Sequence, residues 1–548
     1  MPRRVIAPGR SCLECRRRKI KCDRSHPCAY CVKVRVECTY PPRRASNNGN
    51  DEVTSTERIR TLESKLKAVE KRLSEIEGPP RMRTSATTTL GRGRESQQLE
   101  SREALRQSSV SASASHSHSV AAKSATLLTP QPTIDLSVLY PDPSTVALLW
   151  QKYLEVVDPL VKTFHIPSVQ RLVVKAIRGR DNLDLIAQCL LFAIYYATIA
   201  SISPAICRIE FEEERPALLK RYRTGVEYLL SQMDLRGSTN MTVLQAFTIY
   251  LTTGRCDEDG PDVYALVGLA VGMALKMGLN RDGEALGQSP FEVEMRRRLW
   301  WQLLILDTRV AEDHQSEPCI LESSFNTRLP SNIASANLHP EMSRLAICGH
   351  GRTEMLFSLV RFEVSYFARQ MVFSDVFGNA NAYATLSTVQ KILAIDLFQE
   401  RVENQYLSHC DEGIPLDKIT TQSTRLILAK LKLMATGFMD DISQNDRETS
   451  RRAWMNLLQD AEGLRGYEDG KQWLWLFQTY IEWDALLQLL LHLRDNPVGE
   501  DGDQGWETAY RVYWHWKGYK SAQRDERWKR IEQLRSEVLA LRTQLAMA

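Results

Sequence analysis

Apolar residues recur along this chain at helical spacing and seldom in strand-like alternation. Over residues 58–78, Ile59, Leu62, Leu66, Val69, Leu73 and Ile76 step by 3, 4, 3, 4 and 3, filling the a and d positions of three heptads. The g positions are basic (Arg58, Lys65, Arg72) and the following e positions acidic (Glu63, Glu70, Glu77). In a parallel dimer each g faces the partner's e five residues on, which pairs opposite charges in all three cases. An amphipathic helix packed on the chain's own core would not require that sorting by sign. The segment is therefore expected to be a short parallel coiled coil joining a homodimer, although its a positions carry no polar residue to exclude a trimer.

Over residues 141–519 the pattern predicts one large helical domain. Asp142-Pro143 opens a run through Leu148, Leu149 and Tyr153, with an N-cap and a proline at the first helical position. Pro261 opens another that closes at Gly278, with Lys276 in its last turn. Ser289-Pro290-Phe291-Glu292 has the form of a capping box, and Met295, Leu299, Leu303 and Leu306 follow on one face. Residues 185–207 carry no charge, long enough for a membrane span. Their Gln188, Ser201, Ser203 and Pro204, and the absence of a basic flank, favour a buried helix and no membrane partner. Trp300-Trp301 and the tryptophans at 473, 475 and 483 lie in apolar runs and are expected in the core. Residues 528–545 predict a C-terminal amphipathic helix, whereas the acidic stretch 500–506 is expected to be a surface loop. The predicted class is mostly α, with an all-α regulatory body.

These patterns partition the chain into a cysteine unit (1–40), a linker (41–57), the coil (58–78), a Ser-, Thr- and Arg-rich disordered linker (79–135), the helical domain (136–520) and the terminal helix (521–548). Charge sharpens the division. The whole chain of 548 residues is formally +4, yet residues 1–44 hold 13 Lys and Arg against 3 Asp and Glu, about +10, leaving about −6 for the rest. A basic head on a mildly acidic body is suited to meeting a polyanion.

Six of the 12 cysteines, Cys12, Cys15, Cys22, Cys28, Cys31 and Cys38, are spaced C-x2-C-x6-C-x5-C-x2-C-x6-C around Arg16-Arg17-Arg18-Lys19-Ile20-Lys21. The first residues show no secretory signal, so a disulfide framework has no oxidising compartment in which to form. Metal binding is the better use of such a cluster. Zinc takes thiolates in a tetrahedron, and six thiolates fill the eight places around two ions only if two of them bridge. Two Zn2+ and six thiolates sum to −2, which the surrounding Arg and Lys offset. Cys189, Cys207, Cys256, Cys319, Cys348 and Cys410 are scattered and are expected to be reduced core residues.

Residues 12–38 resemble the fungal zinc binuclear cluster (Zn2Cys6) transcription factor family, in all six cysteines, the basic run with Asp23, and Pro27 between the halves. The resemblance implies that Cys12 and Cys28 bridge two zinc ions, with Cys15 and Cys22 completing one site and Cys31 and Cys38 the other. It implies that Arg18 and Lys19 reach base edges of a CGG-type triplet in double-stranded DNA, and Arg16, Arg17, Lys21 and Arg24 are expected on phosphates. Arg18 stands where lysine is common in the family, and a guanidinium reads bases differently from an ammonium.

Residues 246–335 are similar to the same family's middle homology region, the fungal-specific transcription factor domain. The similarity rests on Ala265-Leu266-Val267-Gly268, Gly278-Leu279-Asn280-Arg281-Asp282, Arg296-Arg297-Arg298-Leu299-Trp300-Trp301, Asp307 and Leu329-Pro330. Ala311-Glu312-Asp313-His314 with Pro318 resembles a variant found in regulators of secondary-metabolite clusters. What is implied is a nuclear, non-enzymatic regulator of RNA polymerase II transcription that partners with DNA, a second copy of itself and the transcription machinery or coregulators. A corepressor tethered through another protein, or a primary-metabolism regulator with a ligand-sensing helical domain, is the alternative. Glu312, Asp313, His314 and Cys319 lack a phosphate loop, a second histidine at ligand spacing or a nucleophile elbow, so structural turn roles are expected for them.

Overall fold

The computed structural model describes residues 5–6, 15, 25–26, 31, 34 and 133–547, apart from 180–182, 258–259, 315, 345–350, 373–385, 437–443 and 478–481. The chain divides into two units, Met1–Leu105 and Arg106–Ala548. In the first, β1 (Val5–Ile6) pairs antiparallel with β2 (Ser25–His26), with Val5 opposite His26 and Ile6 opposite Ser25. The predicted coil and its residues Ile59, Leu62, Leu66, Val69, Leu73 and Ile76 lie outside the described residues.

The regular structure of the second unit, among its described residues, is all helical. Asp142 caps α1 (Pro143–Val156) by accepting from the Ser144 and Thr145 amides, as its Asp-Pro signature predicts. Next come α2 (Ile166–Arg178) and α3 (Leu185–Ser201), in which every residue from Cys189 to the end is buried. The uncharged stretch is thus an interior helix, apolar on all sides because α1, α5 and α6 surround it. At its end the chain turns by 118° into α4 (Pro204–Glu210). Among the described residues no single helix is long and apolar enough to cross a membrane.

Helices α5 (Arg215–Ser231) and α6 (Met241–Gly254) flank α3. A Cβ on Gly225 would come within 2.3 Å of the Phe192 ring, so glycine is what lets α5 lie flush on α3. Helix α7 (Val263–Lys276) begins behind Asp262, whose side chain caps it; Pro261 stands just outside the cap. Gly278, at φ +67°, ends that turn in the left-handed conformation. The capping box at Ser289 and Glu292 forms as predicted and starts α8 (Pro290–Asp313). Together α1, α3 and α5–α8 enclose the first core.

Helices α9 (Leu356–Val372) and α10 (Thr388–Gln405) pack with α11 (Pro415–Thr436) around a smaller cluster. A third cluster draws on α11, α12 (Gln444–Arg465), α13 (Trp483–Asp495), α14 (Glu500–Lys517), α15 (Lys520–Arg524) and α16 (Glu526–Met547). The predicted C-terminal helix is α16. Its Trp528, Ile531, Leu534 and Val538 are buried while Leu545 is exposed.

Two expectations are corrected. Residues 500–506 are the first turns of α14, not a loop. Glu500, Asp501 and Asp503 sit where the helix dipole favours acids, and Gly505 lets α14 approach Leu489 and Leu493 of α13. Cys319 is exposed, whereas Cys189, Cys207 and Cys256 are buried as expected; Cys348 lies outside the described residues. Burial pushes the Cys189 thiol up to about 12 and that of Cys207 to about 11, which keeps both unreactive.

Candidate functional site

The cysteine unit offers two described ligand candidates at equivalent places. Cys15 and Cys31 are the second cysteine of each C-x2-C pair; both are in helical conformation and both fully buried. Thirty-odd residues cannot bury thiols by forming a core of their own, so what sequesters these two must be local. The β1–β2 pair adds a feature that the sequence did not suggest. It ties the segment ahead of Cys12 to the loop between Cys22 and Cys28, closing the unit on itself. Two-residue strands are too short to show alternation, so no sequence signal could have found them. Cys12, Cys22, Cys28 and Cys38, and the basic residues Arg16, Arg17, Arg18, Lys19, Lys21 and Arg24, lie outside the described residues. The donor chemistry fits zinc: six soft thiolate donors within 27 residues, in a basic surround that favours deprotonation.

In the helical unit the sequence motifs converge on α8. The Arg297 guanidinium donates to both Asp282 oxygens at 2.8 and 2.9 Å, and the Arg328 amide donates to the same carboxylate. Burial raises the Asp282 pKa, but the hydrogen bonds from Arg297 and the Arg328 amide outweigh it and hold the carboxyl below its usual range. On the same helix, Arg298 and Glu294 are fully buried and paired at 2.9 Å. Arg298 also donates to the Ile333 carbonyl, and Glu294 accepts from the Ser331 amide. The Trp301 indole donates to the Arg328 carbonyl. Residues 326–333, including Leu329-Pro330, are thus strapped along α8 by three of its side chains, Glu294, Arg298 and Trp301, each bonding the strap's backbone. Asn280 and Thr327 complete the strap by bonding Ser324 and Leu279 carbonyls.

Asp307 accepts from the Cys319 and Ile320 amides and from buried Arg369, which also donates to Glu322, Thr308 and the Ile320 carbonyl. At the end of α8, Asp313 takes a bidentate bond from Arg255, Glu312 pairs with Arg309, and His314 packs on the Tyr264 ring at 4.6 Å. Each of the residues that could suggest acid–base chemistry is therefore engaged in holding the turn. Among the described residues no three His, Cys, Asp or Glu gather as a metal site. Trp300, Trp301, Trp475 and Trp483 are buried; Trp473 is half-buried on a 3-10 helix at Glu468–Phe477 and donates to the Glu155 carbonyl.

Comparison with known families matches residues 10–47 to the fungal Zn(2)-Cys(6) binuclear cluster domain and residues 152–363 to the fungal specific transcription factor domain. The chain thus carries both domains that characterise the fungal zinc binuclear cluster transcription factors. The second match spans α1 to α9, the part of the fold built around the strapped α8. Among its relatives in this family is the aurofusarin cluster transcription factor aurR2 of Gibberella zeae, 28% identical over 94% of this chain and 77% of that protein. The transcriptional regulator AacuB of Aspergillus aculeatus is 26% identical over 93% of this chain and 78% of its own length. The pyriculol/pyriculariol biosynthesis cluster transcription factor 1 of Pyricularia oryzae is 36% identical over a shorter stretch, 44% of this chain and 32% of its own. The two domain matches and these relatives make this protein a sequence-specific DNA-binding transcription factor whose N-terminal domain is a zinc cluster.

Proposed function

We propose that the protein acts in the nucleus as a homodimer, reads paired CGG-type triplets, and controls transcription of a biosynthetic gene cluster. The observation that carries this reading is the six-cysteine spacing wrapped around Arg16-Arg17-Arg18-Lys19-Ile20-Lys21. Cys12 and Cys28 would bridge two zinc ions, Cys15 and Cys22 completing one site and Cys31 and Cys38 the other. The bound metal supplies the folding free energy that so small a unit lacks. Cys15 and Cys31 present thiolates from buried, matching positions, while Arg18 and Lys19 donate to guanine O6 and N7 in the major groove. Arg16, Arg17, Lys21 and Arg24 neutralise phosphates and fix register without reading sequence.

The coil at 58–78 pairs two such heads through Arg58–Glu63, Lys65–Glu70 and Arg72–Glu77, and the 41–57 linker sets the separation of half-sites. The cluster assignment draws on the relatives named for aurofusarin and pyriculol biosynthesis. Chromatin occupancy of the full-length protein in its native cells tests the whole reading. Occupancy should concentrate at CGG-bearing promoters within one contiguous set of biosynthetic genes, whose transcripts change when the protein is deleted. Occupancy indifferent to CGG, or deletion that leaves those transcripts unchanged, would contradict it.

A further inference from the structure

Helix α14 carries two stripes of residues where packing needs one. Gly505, Ala509, Val512 and Trp516 form its buried face. Beside them, at the same four-residue step, run Trp506, Tyr510 and Trp514, with successive ring centroids 6.4 and 6.0 Å apart. Tyr510 is 44% exposed and Trp514 45%, and Trp506 is half-buried. Helix α16 borders this stripe. Its Arg535 lies over the Tyr513 and Trp514 rings, 4.4 and 5.7 Å from their centroids, and its Arg542 lies 5.6 Å from that of Trp506. Leu539, between the two arginines in sequence, is 43% exposed. Exposed apolar residues scattered singly are ordinary, whereas a contiguous aromatic face marks an interaction site.

The charge on this surface is not balanced within the chain. Its carboxylates are engaged: Asp503 with Arg542, Glu507 with Arg511, and Glu532 with the Tyr513 hydroxyl. Lys517 and Arg535 are held by rings, Lys517 at 4.5 Å from the Trp514 centroid, and among the described residues neither pairs with a carboxylate. Two cations beside exposed rings therefore remain for a partner's acids.

That excess narrows the occupant. A second copy would meet this surface with the same surface, in a two-fold contact that sets like charges together. Single-stranded nucleic acid stacks its bases on open ring faces. Here Lys517, Arg535 and Arg542 already lie over Trp514 and Trp506, and Asp503, Glu507 and Glu532 stand close by to repel phosphates. A helix meets both demands. Apolar residues at i, i+3, i+4 and i+7 fit between rings spaced about 6 Å apart, the rise of four helical residues, while acids along its edge reach the cations.

We infer that the α14–α16 face is a docking surface for an acidic amphipathic helix of a partner protein. Trp506, Tyr510, Trp514 and Leu539 form the apolar floor, and Lys517 and Arg535 receive the carboxylates. Tryptophan, tyrosine and arginine are the residue types that most often anchor interfaces. The surface lies wholly in the helical body, so this role stands apart from how the zinc head reads DNA.

The test is fluorescence anisotropy with zinc-loaded full-length protein, its basic head occupied by excess duplex DNA. The probe is a fluorescein-labelled peptide of about five helical turns, with Leu and Phe on one face and Glu on the other. It should bind saturably, and the same peptide with Lys in place of Glu should not. Trp514→Ala should weaken binding roughly 30-fold, the loss typical of an interface anchor. Lys517→Glu should weaken binding and reduce its salt dependence, and it decides the matter if Trp514→Ala changes the circular dichroism. The inference is overturned by an absence of saturable binding, by equal binding of the Lys peptide, or by folded variants that bind as the parent does. It is also overturned if Trp514→Ala abolishes capture of labelled oligo-dT, or self-association, and leaves peptide binding unchanged.

Discussion

Replacing Arg298 by methionine would remove a cation from a place where neither it nor its partner Glu294 meets solvent. The glutamate left behind keeps one bond, from the Ser331 amide, and loses its counter-charge. Breaking one side of a buried pair costs about 3–5 kcal/mol, because the remaining charge is stranded in low dielectric. Glu294→Met strands Arg298 in the same way, so the two single losses would sum to about 6–10 kcal/mol if they were independent. The double variant strands no charge. It does leave the Ser331 amide and the Ile333 carbonyl unpaired, at about 1–3 kcal/mol each. Against that stands a gain of about 1–4 kcal/mol from replacing a buried ion pair by apolar groups. The double variant should therefore fall between a gain of about 2 and a loss of about 5 kcal/mol, and the coupling between the sites should be at least about 1 kcal/mol. Urea unfolding of the full-length protein, followed by tryptophan fluorescence, reads this through Trp300 and Trp301 on the same helix. If the single losses add to the double within about 0.5 kcal/mol, the pair does not act as a unit and the strapped-helix account of α8 is wrong.

Three further outcomes are expected. Arg18→Ala should relax discrimination between CGG and mismatched triplets by about 1–3 kcal/mol, while Lys21→Ala should weaken all duplexes alike and flatten the salt dependence by roughly 0.9 in the log–log slope; binding isotherms at several salt concentrations separate the two. Reversing the charges of Arg58, Lys65 and Arg72 should weaken binding to paired half-sites more than to a single triplet, and restoring the pairs by reversing Glu63, Glu70 and Glu77 as well should recover it. The pKa of His515 lies at about 4 in the folded chain, below the usual 6.5. Between those values the unfolded chain binds the extra proton, so this residue makes stability fall as pH drops from 6.5 towards 4, with the loss complete below the lower value. His515→Phe should flatten that part of the pH–stability curve, read as the urea midpoint across the same window.

Local rules made the helix starts legible. Asp142-Pro143 and the Ser289/Glu292 box cap α1 and α8 because a side-chain oxygen three residues or fewer from an unpaired amide needs no tertiary help. What the sequence concealed is set by long-range contacts. A run of three arginines usually marks a solvated basic patch, yet Arg296, Arg297 and Arg298 are all buried, and only the Met277 carbonyl, Asp282, and Glu294 with the Ile333 carbonyl, which they respectively engage, explain why. Residues 500–506 look like a loop because acids and glycines usually mark one. Here the glycines are needed where α14 closes on α13, and the acids lie at the helix start. The metal-binding chemistry, in contrast, is written locally, since both halves of the ligand set repeat one spacing within 27 residues.

The central claim is that the cysteine-bound head reads sequence. It is tested most directly by the affinity of zinc-loaded, full-length protein for duplexes bearing paired CGG triplets and for scrambled duplexes of equal length, at physiological salt. The account predicts binding to the CGG duplex tighter by a factor of about 10³ or more, and loss of that preference when a chelator strips the metal. Equal affinity for both duplexes with the metal in place would contradict it.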